Sequence, residues 1–135
     1  MLAAEILVAA QLAGLIGEGK GPADCDAAIQ WNVSVKLAGS GVAEEKRINE
    51  ATIRAFLARD AWWKFVVTDD ADVSEVLQLA ERFALPRARI LLQPEAVRRD
   101  ELIERSPWVV EACKRHGFGF SPRLHVLLWG AKRGV

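Results

Sequence analysis

Apolar residues along this chain follow two periods, and the two periods alternate. Leu2 to Ile16 (LAAEILVAAQLAGLI) has helical length and so few polar residues that both faces of the helix would be buried. Gly17 to Pro22 breaks it, and Asp24 to Gln30 forms one short helical turn. Trp31 to Leu37 (WNVSVKL) is a short β-prone run, followed by a flexible loop at Ala38-Gly39-Ser40-Gly41. From Ile48 to Arg59 the spacing turns helical: Ile48, Ile53, Phe56 and Leu57 share a face, with Asn49 as N-cap. Trp62 to Thr68 is aromatic and β-branched with Lys64 as its one charge, which predicts a buried strand.

The same alternation continues to the end. Asp72 to Phe83 carries a helical stripe of Val73, Val76, Leu77, Ala80 and Phe83. Arg89 to Gln93 is a short apolar strand ended by Pro94. Ala96 to His116 is mostly helical, with a break and fresh start at Ser106-Pro107 and a stop at Gly117. Arg123 to Trp129 (RLHVLLW) is the last predicted strand, and Gly130 to Val135 a polar tail. The order is strand 31–37, helix 47–59, strand 63–68, helix 72–83, strand 89–93, helix 97–116, strand 123–129. This predicts an α/β fold: one domain over 1–135 with an open parallel sheet of about four strands and alternating helices. Functional groups in such sheets gather at the carboxyl ends of the strands. Here those ends carry Lys36 to Gly41, Thr68 to Asp70, Gln93-Pro94-Glu95 and Trp129 to Arg133.

Composition narrows the function. Hydrophobic residues are 51% and charged residues 27% of the 135, which excludes intrinsic disorder. Lys+Arg and Asp+Glu are both 18, so the basic excess of a dedicated nucleic-acid binder is absent. The two cysteines, Cys25 and Cys113, form no CxxC pair, so spacing gives no zinc site; they can form a disulfide or stay reduced, and with no sign of secretion the expectation is two reduced thiols. The first apolar segment lacks a basic start and is too short to span a bilayer. The expectation is a soluble cytoplasmic protein with no membrane partner.

Single residues leave alternatives open. Ser34, Lys36 and the glycines at 39 and 41 can aim a hydroxyl, an ammonium and backbone N–H groups at an anion, or form an ordinary strand-to-helix loop. Gln93 and Glu95 around Pro94 can hold a ligand or begin a helix. Lys64 needs a partner or a route to water. His125 in its apolar run reads as a core residue, and His116 as a helix-end cation.

Four blocks occur in an order that resembles the C-terminal half of the 7-carboxy-7-deazaguanine synthases, a family of radical S-adenosylmethionine enzymes. They are Trp31 to Val42, Lys64-Phe65-Val66-Val67, Leu92-Gln93-Pro94-Glu95, and Ser121 to Val135 with its LHVLLWGAKRGV ending. The last block is the most specific.

The resemblance implies a homodimeric lyase built on a modified, partial (β/α) barrel. Its reaction contracts 6-carboxy-5,6,7,8-tetrahydropterin to 7-carboxy-7-deazaguanine, a step of queuosine and 7-deazapurine biosynthesis. It uses S-adenosyl-L-methionine, a [4Fe-4S] cluster and Mg²⁺. By resemblance, the S-P-K element that contacts S-adenosylmethionine maps to Ser34, Val35 and Lys36. The Gln-Pro element maps to Gln93 and Pro94, with Glu95 beside them. His125 and Val135 map to the substrate side. The family's CxxxCxxC, GGEP and QGEG elements are absent, and Val35 stands in place of the S-P-K proline. A cubane cluster needs three or four spaced thiolates, which Cys25 alone does not supply. The chain therefore reads as a truncated or split synthase that needs a complementary N-terminal half, or else as a catalytically inactive relic serving as a small-molecule or partner-binding module.

Overall fold

The computed structural model describes Leu7–Val8 and residues 30–132. Ten elements follow in order: β1 (Leu7–Val8), β2 (Asn32–Ser34), α1 (Glu44–Arg47), α2 (Glu50–Leu57), β3 (Trp62–Val67), α3 (Asp70–Phe83), β4 (Ile90–Pro94), α4 (Arg99–His116), β5 (Gly119–Phe120) and α5 (Leu124–Trp129). The sheet order is β1-β2-β3-β4-β5. Strands β2 to β5 are all parallel, as the alternation predicts, and β1 pairs antiparallel on the free edge of β2.

Parallel strands laid down in simple sequence order, joined by crossovers of one hand, place their helices on one face. The burial pattern shows this. Along β2 and β3, Val33, Trp63, Phe65 and Val67 are buried, while Asn32, Ser34, Trp62, Lys64 and Val66 between them are half-buried. The buried set packs with Ile53 and Phe56 of α2, Val73, Val76 and Phe83 of α3, and Val109 and Ala112 of α4 in one cluster. The other sheet face carries no helix of the crossovers. It presents rows across the strands in which Ser34 stands beside Lys64, and Lys64 beside Leu91. The strand order of this sheet does not reverse, unlike that of a doubly wound sheet with its switch point.

Local signals explain the helix ends. Asn49 accepts the Thr52 N–H at 3.0 Å, as its N-cap position predicts. Asp69 caps α3 in the same way through the Asp72 N–H at 3.0 Å. Gly117, with φ 73°, closes α4 in the left-handed region that glycine enters without strain.

Three expectations are corrected. The run 123–129 is not a strand: Leu124–Trp129 is the helix α5. A short apolar run lacks a period long enough to separate strand from helix, and Val126 is its one β-branched residue. Val126 packs with Ala96 and Leu102, and the Arg99 guanidinium donates to the Leu127 and Leu128 carbonyls at 2.7 and 3.1 Å. The place of the last strand is taken by β5, immediately after α4. Second, α4 runs unbroken through Pro107. Proline removes the helical N–H that would reach the Ile103 carbonyl, and the neighbouring Ser106 hydroxyl donates to the Leu102 carbonyl at 2.5 Å. Third, the helix expected over 2–16 contains strand at Leu7–Val8, and the rest of that segment lies outside the described residues. So does the turn expected from Asp24, up to position 29. The loop at 38–41 is a tight 3-10 turn. Among the described residues no helix is long and apolar enough to cross a membrane.

Replacing Asn49 by Ala removes the α2 cap and is expected to lower stability by about 1 kcal/mol in urea unfolding; an unchanged midpoint would show that the cap does not matter. Cys113 is buried with its thiol directed to the Gly119 carbonyl at 3.2 Å, and burial pushes the thiol's pKa up. Iodoacetamide at mildly alkaline pH is expected to label Cys113 far more slowly in the native chain than in guanidinium, read by peptide mass spectrometry. Equal rates in the two conditions would contradict its burial.

Candidate functional site

The carboxyl ends of β2, β3 and β4 surround a cleft of about 210 Å³. Its lining includes Ser34, Val35, Lys36, Gly39, Thr68, Asp72 and Glu95. The local sequence builds each wall in turn.

The first wall is the chain leaving β2. Val35 and Leu37 are buried in the core, so the period of two turns Ser34 and Lys36 the opposite way, and the Lys36 side chain is exposed. Val35 offers the cleft little beyond its main chain. The chain then tightens: Ser40 N–H donates to the Leu37 carbonyl and Gly41 N–H to that of Ala38, both at 3.0 Å. Gly41 takes φ 74° to complete the turn.

The second wall is the turn from β3 into α3. Asp72 is buried, which requires partners for its carboxylate. One oxygen accepts from both the Thr68 N–H at 2.7 Å and the Thr68 hydroxyl at 2.5 Å. Gly39 lies against the other oxygen, where an added Cβ would stand 3.3 Å away. Three residues further along α3, Glu75 receives the Ala38 N–H at 2.8 Å and the Arg47 guanidinium at 2.6 Å.

The third wall is the end of β4. Glu95 N–H continues the ladder to the Val67 carbonyl at 3.1 Å. Arg105 of α4 donates to the Glu95 carbonyl at 2.5 Å and to its carboxylate at 2.6 Å. Gln93 and Pro94 are buried behind this wall, and the Gln93 amide donates to the Pro122 carbonyl at 3.3 Å.

The structure therefore brings Ser34, Val35, Lys36 and Glu95 together around one opening. Gln93 and Pro94 support that opening rather than line it. His125 is exposed on α5 and does not line the cleft, and Val135 lies outside the described residues. Lys64 sits on the helix-free face of the sheet, half-buried. Asp72, Glu75 and Arg47 are the site's unforeseen members. The signal for the two acids was their spacing of three on α3, which puts both at the same helix face beside the strand ends. Among the described residues no group of three or more His, Cys, Asp or Glu is placed to hold a metal ion.

The arrangement is an anion-tolerant rim, formed by Lys36 and the turn after it, facing a carboxylate rim, formed by Asp72 and Glu95. Such a cleft suits a ligand that carries charges of both signs.

No protein-family model matches the chain, and no solved structure matches it. Named relatives do. A 7-carboxy-7-deazaguanine synthase of Pyrobaculum aerophilum is 37% identical over 106 residues, covering 77% of this chain and 45% of that protein. One of Halobacterium salinarum is 38% identical over 93 residues, covering 64% and 36%. One of Bacillus cereus is 28% identical over 116 residues, covering 76% and 48%. The chain thus spans about half the length of these relatives or less. Over most of its residues it is similar to the 7-carboxy-7-deazaguanine synthases.

Proposed function

We propose that this chain forms the S-adenosylmethionine-facing half of a 7-carboxy-7-deazaguanine synthase. The observation that carries the reading is the similarity to synthases of that name from several organisms. The cleft supports it. S-adenosylmethionine is a zwitterion with a ribose diol, and the opening offers an ammonium, hydroxyls and carboxylates at strand ends. Lys36 would pair with the ligand carboxylate, Ser34 would hydrogen-bond it, and Glu95 would accept from its amine or ribose. Val35 borders the ligand through its main chain, and Gln93 and Pro94 hold Glu95 in place. When bound, S-adenosylmethionine supplies the radical chemistry of the ring contraction of 6-carboxy-5,6,7,8-tetrahydropterin. The substrate side belongs to His125 and Val135; α5 follows β5 at the same end of the sheet.

The [4Fe-4S] cluster does not fit the described residues. Cys113 is buried against Gly119, and no second or third thiolate accompanies it. The sequence holds two cysteines, fewer than the three or four thiolates a cubane cluster needs, so the cluster ligands would come from another chain. A complementary N-terminal half would supply them, and the homodimer that the family resemblance implies would form from subunits completed in that way. Exposed apolar residues on α5, among them Leu124, Leu128 and Trp129, are surface that an additional partner could cover. The absence of a cluster ligand set also favours a second reading, in which the chain is a relic that binds a small molecule or a partner without catalysis.

Isothermal titration of the chain with S-adenosylmethionine tests the reading. Binding is expected, and Lys36→Ala is expected to weaken it about tenfold through loss of one charge-assisted contact. No binding by the wild-type chain, or equal affinity in the variant, would overturn it. Anaerobic iron–sulfur reconstitution of the chain by itself is expected to give neither a cluster absorption band nor 5′-deoxyadenosine under reducing conditions. A stable cluster with turnover would show that ligands within the chain suffice.

A further inference from the structure

The turn that carries Lys36 into the cleft is fastened from behind by two charged residues. Arg47 comes from α1 and Glu75 from α3, and their side chains meet at 2.6 Å with exposures of 7% and 20%. A buried pair of this kind is weak evidence for stability, because desolvation offsets the attraction. What it does here is geometric. The Arg47 guanidinium also donates to the Lys36 carbonyl at 3.2 Å. The second Glu75 oxygen accepts the Ala38 N–H at 2.8 Å. The two bonds grip the main chain on either side of Leu37, whose side chain is buried in the core. Three points are thereby fixed on three successive residues, which sets where the Lys36 side chain leaves the main chain at the rim of the opening.

We propose that Arg47 and Glu75 are positioning residues for the cleft: they hold the Lys36–Ala38 main chain so that the Lys36 ammonium and the following turn face the ligand. Neither residue needs to touch it. As far as the ligand is S-adenosylmethionine, the inference rests on the reading above; the fastening itself does not. The pair also ties two helices to one turn. The N-cap of α1 makes no side-chain bond and the helix is four residues long, so Arg47 anchors α1 as well.

Removing one member alone would strand a buried charge and risk unfolding. The decisive variant is therefore Arg47→Met with Glu75→Met, which removes both charges and keeps the volume apolar. Glu75→Gln, which retains one acceptor oxygen, is the milder companion. Two readouts are taken on the full chain: amide hydrogen exchange by peptide, and S-adenosylmethionine affinity by titration. In the double variant, exchange over 36–41 is expected to rise about tenfold while β3 and α3 keep their protection. Affinity is expected to fall about tenfold, with Glu75→Gln intermediate in both. Unchanged exchange over 36–41 in a folded double variant would overturn the proposal. So would loosened exchange with full affinity. If the wild-type chain binds no S-adenosylmethionine while exchange at 36–41 responds as expected, the fastening stands and the assignment of the ligand falls.

Discussion

One-sided burial of the sheet is the constraint on which the rest depends. Val33, Trp63, Phe65, Val67, Ile90 and Leu92 are each at most 1% exposed, and all lie on the face that meets α2, α3 and α4. Burying large apolar side chains contributes about 1.5–3 kcal/mol each. That commits the intervening residues to the other face, whatever their own preference. Ser34, Lys36 and Lys64 point where they do because their neighbours must not. The cleft is thus a by-product of core packing, refined by polar contacts at its rim.

Those polar contacts follow a common logic. After β2, β3 and β4 the chain is steered towards a helix by a carboxylate that accepts main-chain N–H groups. Asp72 does so for Thr68 at the end of β3, and Glu75 for Ala38 beyond β2. After β4, Glu101 takes the Val97 and Arg98 N–H groups at 3.1 and 3.2 Å, and those bonds draw its carboxyl below the usual carboxylate range. Carboxylates at the amino ends of helices also complement the helix dipole. Of these acids Asp72 also lines the cleft, where it shares the negative side with Glu95.

Much of this was legible before the fold was known, for identifiable reasons. β3 and α3 are long enough for their periods to declare themselves, and Asn49 and Gly117 are end signals with a local mechanism. The C-terminal run misleads because five apolar residues within seven positions carry no decisive period, and because a two-residue strand such as β5 leaves no pattern at all. Pro107 reads as a break from local chemistry alone, and the packing of Val109 and Ala112 against the sheet carries the helix through it. At the site, Ser34, Lys36 and Glu95 were visible as polar residues at strand ends. Arg47 was not: its partner Glu75 lies 28 positions away, and no spacing rule links the two.

The register of β3 has a consequence for how this chain can change over generations. Along Trp62–Val67, half-buried and buried residues alternate without a fault, and both neighbouring strands are hydrogen-bonded to it. Substitutions there are graded in cost, since each alters one side chain. Loss or gain of a single codon is not graded: it would send Lys64 into the apolar interior and bring Trp63 and Phe65 out to water together. Lineages of such a chain are expected to carry their length differences in the segment 41–43 and between α3 and β4, and to vary β3 only in letters, never in count.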